Sequence, residues 1–132
     1  MIFLLDATFP PKLAHALQEL TERRDCEFRY ANDEFGEGAQ DEVLIDGARD
    51  RGWFLMTMDE RITRNPAKRK AVVEGGIGTF VFTGSSLPRR SFYKIVAFVM
   101  AIAEEILDRA ARTRRPFIIG ISDRGKFDRL DA

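Results

Sequence analysis

Short apolar runs of strand length alternate along this chain with stretches whose apolar residues recur at helical spacing, and few folds accept that alternation. The runs occupy 2–6, 53–58, 77–83 and 117–121, and Cys26-Glu27-Phe28-Arg29-Tyr30 alternates as a strand near a sheet edge does. Pro10-Pro11 opens a helix to about residue 23, with Leu13, Ala14, Leu17 and Leu20 on its apolar stripe; proline is tolerated in a first helical turn. Asp41 is a good N-cap for a helix to about residue 51, with Glu42 in its first turn and Gly52 as the residue that ends it. A turn over 60–63 leads to Asn65-Pro66, which cap and start a helix to about 74, and Ser91 caps a long one over 92–112. The polar stretch 32–40 reads as a loop, and 122–132 as a loosely ordered tail. Strand–helix alternation of this kind predicts one doubly wound α/β domain over 1–132 with a mostly parallel sheet of about five strands.

Composition narrows the function classes less than the pattern does. Basic and acidic residues balance, 21 against 21, so net charge names no partner, although patches rather than totals set local potential. Acids crowd 25–50, while bases dominate 61–70 and 109–115. The single cysteine, Cys26, has no partner for an internal disulfide or a CxxC zinc site, which points to the cytoplasm. No apolar run reaches the ~20 residues that span a bilayer, and no basic leader precedes the first strand; no membrane partner is expected.

The acids carry the functional signal. Asp6 closes the first apolar run, Asp59 closes the third, and the Asp41-Glu42 pair opens the helix between them. Aspartate favours turns and caps, so a single acid at a strand end says little. Two strands that both end in Asp, as parallel neighbours, bring both carboxylates to one carboxyl edge, where open α/β sheets keep their sites. Gathered carboxylates repel one another and call for a divalent cation. Hydrolysis of a phosphodiester fits that set: Mg²⁺ or Mn²⁺ prefers carboxylate oxygens, and no histidine or serine nucleophile is needed. His15 falls inside the first helix and reads as a helical surface residue.

The ordered set Phe3-Leu4-Leu5-Asp6, Asp41-Glu42-Val43-Leu44 and Thr57-Met58-Asp59, with Pro10 to Ala14 and Ala48 to Gly52 between, resembles the PIN-like domains related to VapC-type toxins over about 1–83. The resemblance implies a cytoplasmic ribonuclease that uses Mg²⁺ or Mn²⁺, with Asp6, Asp41, Glu42 and Asp59 as catalytic and metal-holding residues. It also implies an antitoxin partner and a homodimer. Related families present a fourth acid just after the third; here Glu60 is offered, and Ile62 stands three residues past Asp59.

Arg61, Arg64 and Lys68 follow the last acid and are candidates to hold RNA phosphates. A solvated helix face accounts equally well for Lys68 to Lys70. Arg112, Arg114 and Arg115 are candidates for a second RNA contact, and complementing the helix C-terminus accounts for them equally well. Phe35 and Phe92 are candidates for base stacking, although aromatic residues are mostly core material. Two other readings remain open. An inactive PIN-like scaffold that only binds RNA or protein would keep the same acids. A receiver-like phosphoacceptor domain would need an acidic pair after the first strand and a lysine after the fifth, where this chain has Asp6-Ala7-Thr8 and Ser122-Asp123-Arg124. No G-x-G-x-x-G or Walker pattern follows the first strand.

Overall fold

A computed structural model describes residues 1–21, 25–84 and 86–131. Its elements are β1 (Ile2–Leu5), α1 (Pro11–Leu20), β2 (Glu27–Tyr30), α2 (Ala31–Phe35), α3 (Asp41–Arg51), β3 (Phe54–Thr57), α4 (Arg61–Arg64), α5 (Pro66–Glu74), β4 (Gly78–Phe82), α6 (Phe92–Arg112), β5 (Phe117–Ile121) and β6 (Phe127–Arg129). The six strands form one sheet in the order β2-β1-β3-β4-β5-β6. The first five are parallel and β6 pairs antiparallel with β5. The expected doubly wound α/β architecture is therefore present.

Parallel strands covered on both faces must be apolar throughout, because each successive side chain enters a different core layer. β3, β4 and β5 are buried at every position. On one face, Phe3, Leu5, Met56, Phe80 and Ile119 pack with Leu13 and Leu17 of α1 and with Ile95, Val99 and Ile106 of α6. On the other, Leu4, Leu55, Val81 and Ile118 meet Leu44, Ile45 and Ala48 of α3, Ile62 of α4 and Val72 of α5. Phe3 stacks between Phe28 and Phe54, at ring centroid distances of 5.3 and 4.9 Å, so the aromatic row ties β2, β1 and β3 together.

Four local expectations change. α1 ends at Leu20, and the residue expected to close it, Arg23, lies outside the described residues. The stretch 32–40 is not all loop: its first part belongs to α2. That short helix is seated by Gly47 of α3, where a Cβ would lie 2.4 Å from the Phe35 ring. Asp41 is not the cap of α3. Gln40 holds that position without a side-chain bond, which leaves the Asp41 carboxylate free for other partners. The tail contains β6, which supplies the sheet with a sixth strand. Asn65 and Ser91 do cap α5 and α6, accepting from the backbone N–H of Ala67 and Lys68 and of Lys94. Gly52 ends α3 at φ +70°, a left-handed conformation suited to glycine.

Candidate active site

The chain leaves β1 toward β2 on one side and crosses back to β3 on the other. Neighbouring connections thus depart in opposite directions at the carboxyl ends of β1 and β3, and such a switch point opens a crevice between them. Asp6, Asp41, Thr57 and Asp59 line that crevice, with Leu44, Ile45, Leu55 and Ile62 forming its apolar walls. Three of the predicted acids are therefore brought to one cleft by three different elements: the end of β1, the first turn of α3 and the residue pair after β3.

Asp6 is the most enclosed of them, with 7% of its surface exposed. Its backbone N–H donates to the Met56 carbonyl at 3.1 Å, prolonging the β1–β3 pairing by one residue. Its carboxylate accepts from the Thr57 hydroxyl on one oxygen and from the Thr8 hydroxyl on the other. The Thr8 backbone N–H adds a third bond at 3.1 Å. Each threonine hydroxyl in turn accepts from the turn that follows β3. Met58 N–H donates to Thr8 at 2.9 Å, and Asp59 N–H donates to Thr57 at 2.9 Å. A two-armed relay thus joins Asp6 to the backbone that carries Asp59. Burial pushes the Asp6 pKa up to about 6, outweighing the lowering by its hydrogen bonds, and the negative charge of Asp41 adds to the rise.

The other two carboxylates face cations of the same chain. Asp59 accepts from the Arg61 guanidinium at 2.6 and 2.8 Å and from the Arg61 backbone N–H at 2.9 Å. The Arg61 hydrogen bond is the main reason its pKa lies below the usual carboxylate value, and the charge of Lys68 lowers it further. Asp41 Oδ2 lies 2.5 Å from the Lys68 ammonium, which reaches in from α5. Glu42 does not line this cleft. It is exposed and borders a neighbouring depression with Ile45, Asp46, Asn65 and Lys68. Glu60 is absent from the cleft lining and pairs with Arg64 at 3.6 Å, while Ile62 closes the cleft wall.

All three candidate phosphate-binding cations, Arg61, Arg64 and Lys68, are therefore held by carboxylates in this state. Thr8 and Thr57 are site residues to which the sequence assigned no role. Thr57 entered only as part of the Thr57-Met58-Asp59 motif, and the only signal for Thr8 was its place two residues after Asp6, because its partner Met58 lies far along the chain. His15 is committed elsewhere, 2.8 Å from Asp33, and Cys26 is buried in the core.

As a donor set, carboxylates and threonine hydroxyls offer only oxygen, which matches Mg²⁺ or Mn²⁺ and disfavours zinc. Among the described residues no three His, Cys, Asp or Glu side chains converge as they stand to chelate an ion. The residues fit a hard cation chemically, provided that Lys68 and Arg61 yield their carboxylates. No helix among the described residues is long and apolar enough to cross a membrane.

Comparison with protein families matches residues 1–84 to the model described as a PIN like domain. Comparisons with curated proteins and with solved structures return no match.

Proposed function

Because the chain belongs to the PIN-like domain family, whose fold is of nuclease type, we propose that it is a metal-dependent endoribonuclease. The observation that carries this reading is that Asp6, Asp41 and Asp59 line one cleft at the carboxyl edge of the sheet. Asp6, Asp41 and Asp59 would hold Mg²⁺ or Mn²⁺, and Glu42, turned to the neighbouring depression, is left out of that set. A divalent cation held there supplies positive charge for the phosphate oxygens and acidifies water for attack on phosphorus.

The chain's own contribution is positioning. Thr8 and Thr57 hold both oxygens of Asp6, so its carboxylate enters the site in one orientation. The same hydroxyls fix the backbone of Met58 and Asp59. Leu44, Ile45, Leu55 and Ile62 give the cleft an apolar wall, which would strengthen each charge interaction inside it. Arg61 and Lys68, which pair with Asp59 and Asp41, would bind the phosphates that flank the scissile bond if a cation held those carboxylates instead.

Within this reading the protein is the toxin of a toxin–antitoxin pair, supported by the resemblance to VapC-type proteins. Capture of a co-purifying protein tests for the antitoxin, and sedimentation tests for the homodimer.

A second reading, an inactive PIN-like scaffold, is favoured by one specific observation: Lys68 and Arg61 already neutralise two of the three acids. Cleavage of bulk tRNA separates the two. The nuclease requires cleavage that depends on Mn²⁺ and is lost in Asp59→Asn; a scaffold shows none in either protein.

A further inference from the structure

The cations beside the acid cleft are occupied by carboxylates, but those farther along the same sheet edge are not. From Gly75 to Ala103 the chain contains no Asp or Glu. That segment leaves the carboxyl end of β4, passes Arg89 and Arg90 in a short 3₁₀ turn and its exit, and enters α6 past Lys94. β5 is parallel to β4, so the turn after it, with Arg124 and Lys126, returns to the same edge. Two contacts hold loop and turn together. Arg90 Nη2 donates to the Asp123 carbonyl at 2.9 Å, and Ser86 Oγ donates to the Asp123 carboxylate at 2.6 Å.

Arg89, Lys94 and Arg124 are exposed. Among the described residues, none of their side chains has a carboxylate partner or an unprinted interaction that would neutralise it. Lys126 is loosely paired with Asp128 at 3.9 Å.

Two aromatic side chains stand among these cations. Phe92 and Tyr93 open α6, edge to face at a centroid distance of 5.7 Å. Tyr93 is 82% exposed, more than any other large apolar side chain among the described residues. A ring so exposed adds little to the core, and an exposed tyrosine flanked by unpaired cations has the composition of a base-stacking surface. Three unpaired cations against one carboxylate, Asp123, which the Ser86 hydroxyl holds, argue against an apolar protein partner and for a polyanion.

We propose that residues 89–94 together with Arg124 form a docking surface for single-stranded RNA. Bases stack on Tyr93 and Phe92, and Arg89, Lys94 and Arg124 take the phosphates. Strands β3 and β5 are two spacings apart, about 10 Å, so an RNA strand seated here continues over the sheet edge toward Asp59. Unpaired bases are required, because a duplex hides the faces that would stack. The choice of RNA rests on the nuclease reading of the cleft, but the surface lies beyond the residues matched to the family and belongs to this chain.

The test is fluorescence anisotropy of wild-type protein in EDTA with a labelled oligouridylate about twelve nucleotides long, within the site sizes known for such platforms. Tyr93→Ala should weaken binding about tenfold or more, while Tyr93→Phe binds like wild type. The triple variant Arg89→Ala, Lys94→Ala, Arg124→Ala should reduce the slope of log K against log salt by about 2. Arg112→Ala, which removes one positive charge at the far end of α6, should bind unchanged, and duplex RNA should compete poorly.

No binding by the wild type, or binding that Tyr93→Ala and the triple variant leave intact, overturns the proposal. A wild-type dimer in sedimentation that Tyr93→Ala dissociates also overturns it, making this face a protein interface. Parallel Mn²⁺-dependent cleavage of tRNA keeps the two readings apart. Cleavage with binding indifferent to these variants rejects the surface alone; the expected binding pattern without cleavage rejects the nuclease alone.

Discussion

The ammonium of Lys68 lies 2.5 Å from Oδ2 of Asp41, with only 16% of the Lys68 side chain exposed. An acid from the first turn of α3 is thereby neutralised by a base from the first turn of α5, and any cation entering the cleft competes with that ammonium. Lys68→Met should therefore tighten Mn²⁺ binding, measured by calorimetry, while destabilising the metal-free protein by about 1 kcal/mol as Asp41 loses its partner. Weaker Mn²⁺ binding in the variant would show that Lys68 assists the site instead of competing with the ion.

Asp6 makes its own contribution to the pH dependence. Its folded-state pKa of about 6 exceeds the ordinary value of 3.8, so between those values the folded state binds more protons than the unfolded one. The contribution of Asp6 to stability then falls as pH rises through that window and returns as pH falls, opposite in sign to those of Asp59 and Asp131, whose pKa values are lowered. Asp6→Asn should be more stable than wild type at pH 7 by on the order of 2 kcal/mol, with the gap closing below pH 4. Denaturant melts of both proteins across pH 4 to 7 check this; a gap that widens as pH falls contradicts it. The same variant should abolish cleavage.

Thr57 serves two partners, donating to Asp6 and accepting from the Asp59 N–H. Thr57→Val keeps the shape and removes both bonds, leaving buried groups unpaired. Its expected cost is roughly 1–3 kcal/mol of stability, and cleavage should fall more than it does for Thr57→Ser, which keeps the hydroxyl. Equal activity in the two variants would remove Thr57 from the site.

The two members of the acidic pair should separate cleanly. Asp41 lines the cleft and Glu42 does not, so Asp41→Asn should abolish Mn²⁺-dependent cleavage and Glu42→Gln should leave it within about twofold of wild type, the range of a surface change. The reverse ranking would mean that α3 turns about its axis when the cation binds.

Gly47 should resist substitution for a packing reason. A Cβ there would meet the Phe35 ring at 2.4 and 2.7 Å, so Gly47→Ala must displace that ring from its seat between α2 and α3. Overpacking of this sort costs typically 1–3 kcal/mol, and a thermal melt of the variant measures it.

The architecture was legible in the chain because burial dictates pattern. Strands enclosed on both faces had to be apolar throughout, and the runs ending at Asp6 and Asp59 showed this, as did the stripes of the α1 and α6 segments. The caps at Asn65 and Ser91 and the left-handed Gly52 were also local enough to read. The acids were found the same way, since a strand end fixes which sheet edge its next residue reaches. β6 was not legible: three mostly polar residues become a strand only because β5 offers a free edge.

What only the tertiary structure decided is how those acids are dressed. Gln40 and not Asp41 occupies the cap, so Asp41 turns to a lysine 27 residues away. Thr8 meets the backbone of Met58, 50 residues on. The sequence by itself determined the five parallel strands and that carboxylates gather at one edge, because both follow from local periodicity and the direction of parallel strands. Which carboxylates share a cleft, which cations neutralise them and which cations stay unpaired depends on helices docking from opposite sides of the sheet. That is a matter of packing between distant residues, and no local pattern encodes it.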